Sequence, residues 1–83
     1  MRYDVNYRDS ARRDLSKLDK VIAGRIIDKI DMLQDDLTGD VKRLKNFIPR
    51  YRLRVSDWRV LFDVESRQIT IWRVRHRSEV YDR

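Results

Sequence analysis

The chain has 83 residues, no cysteine, a single histidine and a formal net charge of +6 at pH 7. That length sets one domain with a small core, burying about 60% of the unfolded surface. It excludes disulfides, thiol catalysis and thiolate metal sites, and with His76 alone a zinc site would have to be built from carboxylates. No apolar run suited to a signal peptide follows Met1, and none approaches the roughly 20 residues that span a bilayer, so a cytoplasmic protein with no membrane contact, metal or cofactor is expected.

The segment Arg2-Tyr3-Asp4-Val5-Asn6-Tyr7 alternates, with Tyr3, Val5 and Tyr7 on one side, and predicts a short strand. Asp9 or Ser10 then has the side-chain oxygen to cap a helix, and Asp14 sits near its positive end. Ala11, Leu15 and Leu18 follow at i, i+4, i+7 and form its apolar stripe. Asp19 is placed to cap a second, longer helix running to about Asp36, with Ile22, Ile26, Ile30, Leu33 and Leu37 on its buried face. Gly24 inside that helix costs about 1 kcal/mol relative to alanine, which suggests a close helix–helix approach there.

Thr38-Gly39-Asp40 closes the helical half, and the remainder is strand-like: residues 41–47, 51–55, 58–64 and 68–74, with Pro49 breaking the run between the first two. In residues 51–62, Arg52 and Arg54 point one way while Tyr51, Leu53 and Val55 point the other. If Ser56-Asp57 is a two-residue turn, Val55 faces Trp58, Arg54 faces Arg59 and Leu53 faces Val60. Two guanidinium groups then stand side by side, at a cost of roughly 0.2–1 kcal/mol. Such a pair asks for an anion, and a phosphate fits best.

Ser66-Arg67 can turn the last hairpin, setting Val64 opposite Ile69 and Phe62 opposite Ile71. The pairing then fails, because Arg73 would fall opposite Val60. A β-bulge near Trp72-Arg73 would return Val74 to the core and swing Arg73 and Arg75 toward the arginine face. The order is read as β-α-α-β-β-β: an α+β domain, an antiparallel sheet with a helical hairpin packed on one face and arginines on the other.

Charge is divided along the chain. Residues 1–41 carry 8 Lys and Arg against 9 Asp, whereas residues 42–83 carry 12 basic residues against 5 acidic ones, and ten of those twelve are arginines. Arginine's planar fork suits bidentate phosphate contact and stacking on bases. The asymmetry points to nucleic acid or an acidic protein partner. Lys42, Arg43 and Lys45 are candidate phosphate anchors; Trp58 belongs with the core, and Trp72 would be a stacking platform if exposed on the open face. Asp57, Asp63, Glu65, Glu79 and Asp82 are scattered, with no paired-carboxylate or metal-ligand pattern.

Three pieces carry a more specific signal: Tyr-Arg-Leu-Arg-Val at 51–55, Asp-Trp-Arg-Val-Leu-Phe at 57–62 and His-Arg-Ser-Glu-Val-Tyr at 76–81. Together they resemble the RelE/ParE superfamily of toxins from bacterial toxin–antitoxin pairs, over nearly the whole chain. The resemblance to the RelE branch implies a ribosome-dependent endoribonuclease that cuts messenger RNA in the decoding site, restrained by a RelB-like antitoxin. The ParE branch shares the fold and poisons DNA gyrase without the catalytic basic set. A third possibility is an RNA- or ribosome-binding module that does not cut.

Carried over by position, the resemblance gives Arg52 and Arg54 the places of two basic residues that are often lysines in RelE. Arg59 takes that of the arginine holding the scissile phosphate, and Tyr81 that of the C-terminal tyrosine that stacks on RNA. The fourth basic position is Arg75 or Arg77, with Arg77 favoured because it belongs to the His-Arg pair; whichever is not catalytic, together with His76, would contact RNA. Arginine in place of both lysines leaves the general base unassigned, since arginine stays protonated to pKa values above about 12.

Overall fold

The structure, a computed structural model, describes residues 1–79. Its scaffold is a long antiparallel hairpin pair formed where alternation is strongest: β3 (Tyr51–Val55), β4 (Trp58–Glu65) and β5 (Gln68–His76). Ser56 and Ser66-Arg67 take positive φ at the two turns, the left-handed backbone that two-residue hairpins demand. Val55 pairs with Trp58, Arg54 with Arg59 and Leu53 with Val60, the register expected from the sequence. Val64 pairs with Ile69 and Phe62 with Ile71, and the register then shifts at Leu61/Phe62. The bulge leaves Trp72 as the extra residue, so Val74 comes opposite Val60, and Arg73 and Arg75 come opposite Leu61 and Arg59.

The strand β2 (Asp40–Arg43) pairs antiparallel with β3, and β1 (Asp4–Tyr7) pairs parallel with β5, giving a five-stranded mixed sheet in the order β1-β5-β4-β3-β2. All five expected strand segments are present, one more than the written order β-α-α-β-β-β counts, and the sheet is mixed rather than wholly antiparallel. The first strand enters at the edge beside the last, a non-local pairing that alternation alone leaves open. β2 also stops at Arg43, short of the expected 41–47, because Asn46 takes positive φ and Leu44 N–H turns back to donate to Arg50 O at 2.7 Å.

Between β1 and β2 lie α1 (Asp9–Ser16) and α2 (Lys20–Met32), which cover one face of the sheet. Asp19 caps α2 as expected, its carboxylate accepting from Val21 N–H at 3.1 Å. Ile26, Ile30 and Leu33 are buried against Leu53, Phe62, Ile69 and Ile71, while Ile22 and Leu37 pack at the margin. The helix ends at Met32 rather than near Asp36, since Asp36 and Leu37 take positive φ, which breaks the helical run. Two expectations about the helices fail. Gly24 makes no close approach, for a methyl group there would meet nothing within 4 Å. Neither Asp9 nor Ser10 caps α1, whose N-cap position is Arg8 with no side-chain cap bond.

Ser10 is instead spent on the sheet edge. β1 covers β5 only as far as Ile71, and beyond it the edge of β5 would be bare. Arg8 N–H donates to Ile71 O at 2.9 Å, Ser10 Oγ donates to Trp72 O at 2.6 Å, and Asp14 Oδ2 accepts from Val74 N–H at 2.9 Å. Side chains of α1 thus replace a neighbouring strand along the bulged segment, satisfying backbone groups that would be costly to bury unpaired.

Candidate nucleic-acid interface

Residues directly opposite on neighbouring strands share a face of the sheet. The pairings therefore draw two rows across β2, β3, β4 and β5: Asp40, Arg54, Arg59 and Arg75 in one, and Lys42, Arg52, Leu61 and Arg73 in the other. This is the face away from the helices. The two rows hold six cations and one carboxylate, a density that favours bound anions, while Asp63 and Glu65 stand farther along the same face opposite Thr70 and Gln68.

The arginines differ in freedom. Arg54 is exposed, but Arg52 and Arg59 retain only 9% and 7% of their exposure. Arg52 Nη1 donates to Asp40 O at 3.1 Å and lies 3.5 Å from the Asp40 carboxylate. Arg59 Nη1 donates to Ser56 O and Trp58 O, each at 3.1 Å, and so ties its guanidinium to the hairpin tip. Arg75 is half-buried, 3.5 Å from Glu79. Buried, hydrogen-bonded guanidinium groups lose less freedom when an anion arrives, so Arg52 and Arg59 supply a fixed field and Arg54 and Arg75 supply reach.

The remaining expected site residues are scattered. Lys42 stands in the second row, exposed; Arg43 lies opposite Tyr51, whose ring stacks on buried Phe62 at 5.5 Å, and so alternates to the helix-side face. Lys45 is exposed in the turn after β2. Arg77 begins a 3-10 turn (Arg77–Glu79) and reaches Asp57 at 3.8 Å, away from both rows. His76 pairs with Trp58, their rings edge to face at 5.2 Å, and its Nδ1 accepts from Ser78 N–H at 3.2 Å. It shares the side of Trp58 and Val60, not that of the arginines. Tyr81 lies outside the described residues.

Asp14 was read only as a helix-end charge, yet it organises one side of the site. Its carboxylate takes Arg73 in a bidentate pair, Nε at 2.8 Å and Nη2 at 3.0 Å. Burial pushes the Asp14 carboxyl up, but the hydrogen bonds from Arg73 and Val74 and the charges of Arg73 and Arg75 outweigh it and hold it below its usual value. The same bond keeps the Arg73 guanidinium protonated more firmly than usual. Fifty-nine residues separate the partners, so no local pattern signals the pair.

Also unforeseen is a cleft of about 390 Å³ beside the second row, where Leu44, Phe47, Ile48, Leu61 and Trp72 meet Arg52, Arg73 and Arg75. Its sequence signal was present: Phe47-Ile48 is an apolar pair before Pro49 within a cationic run, 48% and 76% exposed in the fold. Among the described residues, no group of three His, Cys, Asp or Glu is placed to hold a metal ion, and no helix is long and apolar enough to cross a membrane.

The family described as the ParE toxin of the type II toxin–antitoxin system parDE matches residues 5–81. Toxin RelE3 of Methanocaldococcus jannaschii is 38% identical over 48 residues, or 58% of this chain, and the match spans only about half (54%) of that relative's length. A RelE-like toxin protein of Escherichia coli is 32% identical over 88 residues, covering 99% of this chain and 93% of its own. In the crystal structure of the RelBE2 toxin–antitoxin complex from Mycobacterium tuberculosis, a chain 25% identical has the same fold, with a TM-score of 0.79 over 92% of this chain and 99% of that one. The chain belongs to the RelE/ParE superfamily and is a RelE-like toxin of a type II toxin–antitoxin system.

Proposed function

We propose that this toxin is an endoribonuclease that cuts messenger RNA in the ribosomal A site and so stops translation. The observation that carries the reading is the row Arg54, Arg59, Arg75 with Arg52 beside it on the open face. RNA supplies its own nucleophile: the 2′-oxygen attacks the adjacent phosphorus, the bond to the 5′-oxygen breaks, and a 2′,3′-cyclic phosphate and a 5′-hydroxyl result. The 2′-proton leaves to a base and the 5′-oxygen gains a proton, so the reaction needs no redox partner. Arg54 and Arg75 grip the phosphate while Arg52 and Arg59 stabilise the charge that builds on it. A guanidinium is a poor proton acceptor as a matter of general chemistry, so the 2′-proton goes to another group. A site with strong electrostatics and a weak base depends on a host that aligns the substrate, which is the part assigned to the ribosome.

Of Arg75 and Arg77, the fourth basic role goes to Arg75, because it shares a row with Arg54 and Arg59. A RelB-like antitoxin is the expected partner, acting on the cationic face or on the strands that shape it. Primer extension on programmed ribosomes tests the reading: cuts should fall within the A-site codon and depend on the ribosome.

One observation favours a second reading. The matched family bears the ParE description, and arginine fills positions where a proton-accepting lysine would suit cleavage. A gyrase poison would leave messages intact and block supercoiling by purified gyrase.

A further inference from the structure

The bulge that realigns Arg73 and Arg75 has a second product. As the residue without a partner on β4, Trp72 leaves the strict alternation and stands between two hollows of the open face. In one of them the Arg8 guanidinium lies over its indole, 4.1 Å from the ring centroid. Arg8 is itself anchored through its backbone to Ile71. The ring is thus held from the side of the first hollow, and it also lines the second, which is the cleft beside the arginines.

That cleft has two characters. Its walls are apolar and partly aromatic: Trp72, Phe47, Ile48 and Leu44 around Leu61. Three guanidinium groups, Arg52, Arg73 and Arg75, stand among them with one carboxylate, Glu79, which lies 3.5 Å from Arg75 and which a phosphate would displace. Its volume of about 390 Å³ lies in the small-molecule range, suited to a single ring system and too small for a helix face. A flat apolar ring joined to a phosphate meets both characters at once, and that is a nucleotide. The exposed apolar surface of Phe47 and Ile48 is covered when the ring enters.

We propose that Trp72 and the Phe47-Ile48 loop form a slot for one unstacked nucleobase, with Arg75 on its phosphate. The slot rests on the RNA-cutting reading and names the part of the substrate this cleft takes. Stacking on an indole tolerates every base, so the slot adds grip and places the neighbouring phosphate on the arginine row without reading sequence.

The test separates the slot from the cleavage. In a Trp58→Phe toxin, Trp72 is the only tryptophan. Its fluorescence is titrated with the RNA trinucleotide AAA and with the same phosphate backbone lacking bases. The slot predicts quenching by AAA and roughly tenfold or weaker binding of the abasic strand. Equal quenching by both strands, or none by either, overturns it, as does quenching by an antitoxin peptide alone. Cleavage of ribosome-bound message is then compared for wild type, Trp72→Phe and Trp72→Leu. The aromatic variant should keep most of the wild-type rate, within about threefold, and the leucine variant should cut roughly tenfold more slowly than wild type. Equal rates for the leucine variant and wild type overturn the slot while leaving the cleavage reading standing. Quenching without any cleavage has the opposite meaning: the slot holds and the cutting reading fails.

Discussion

Arg54 on β3 stands directly opposite Arg59 on β4, and the two share this proximity unequally. Arg59 is buried and bonded to the Ser56 and Trp58 carbonyls, whereas Arg54 is exposed. Asp40 stands opposite Arg54 on the other side, but its carboxylate lies 3.5 Å from Arg52. Removing the exposed partner relieves the repulsion without stripping buried hydrogen bonds. Arg54→Gln should therefore raise stability by a few tenths to about 1 kcal/mol at low salt, and the gain should shrink as salt screens the pair. Urea melts at two ionic strengths measure it, and the same variant should lose RNA cleavage. Arg59→Ala should instead lower stability, by about 2 kcal/mol, through the two carbonyls it deserts.

Asp14 gives a pH signature. Its folded carboxyl lies below its ordinary value of 3.8, so its contribution is complete above that value and is lost as pH falls through the lowered folded one. Asp14→Asn should cost about 2 kcal/mol near neutrality, since it weakens the bonds from Arg73 and the Val74 N–H. The gap between wild type and variant should hold down to about pH 5 and narrow below pH 4. Chemical denaturation at stepped pH reads the gap. A constant gap down to pH 2 would mean that the pairing with Arg73 does not set the carboxyl's affinity for protons.

The two glycines should respond in opposite directions. Gly24 is helical with open space around its Cα, so Gly24→Ala should stabilise by about 1 kcal/mol. Gly39 has φ +141°, and a Cβ there would lie 2.8 Å from Leu53 Cδ1, so Gly39→Ala should destabilise, by about 2 kcal/mol. Thermal melts of both variants check the pair.

What could be read from the sequence was what is decided locally. Alternation plus a two-residue turn set the β3–β4 register, and a broken alternation located the bulge at Trp72. The Asp19 cap is equally local. The misses were decided by partners far along the chain. β1 lies parallel to β5, Ser10 leaves its helix end for Trp72 O, and Asp14 reaches Arg73. The candidate site divides the same way. The rows follow from strand pairing, so Arg52, Arg54 and Arg59 were legible. That Arg75 lies in the row and Arg77 beyond it depended on where β5 ends, and the cleft depended on how residues 44–50 fold back.

In the proposed function the arginine rows act on messenger RNA held by the ribosome. Cleavage mapping on programmed ribosomes, with free RNA as control, tests it most directly when wild type is run beside Arg75→Ala and Arg77→Ala. Cuts should fall within the A-site codon only when the ribosome is present, with a loss of roughly a hundredfold or more for Arg75→Ala and a rate within about threefold of wild type for Arg77→Ala. Intact message with wild-type toxin, alongside inhibited gyrase supercoiling, would contradict it.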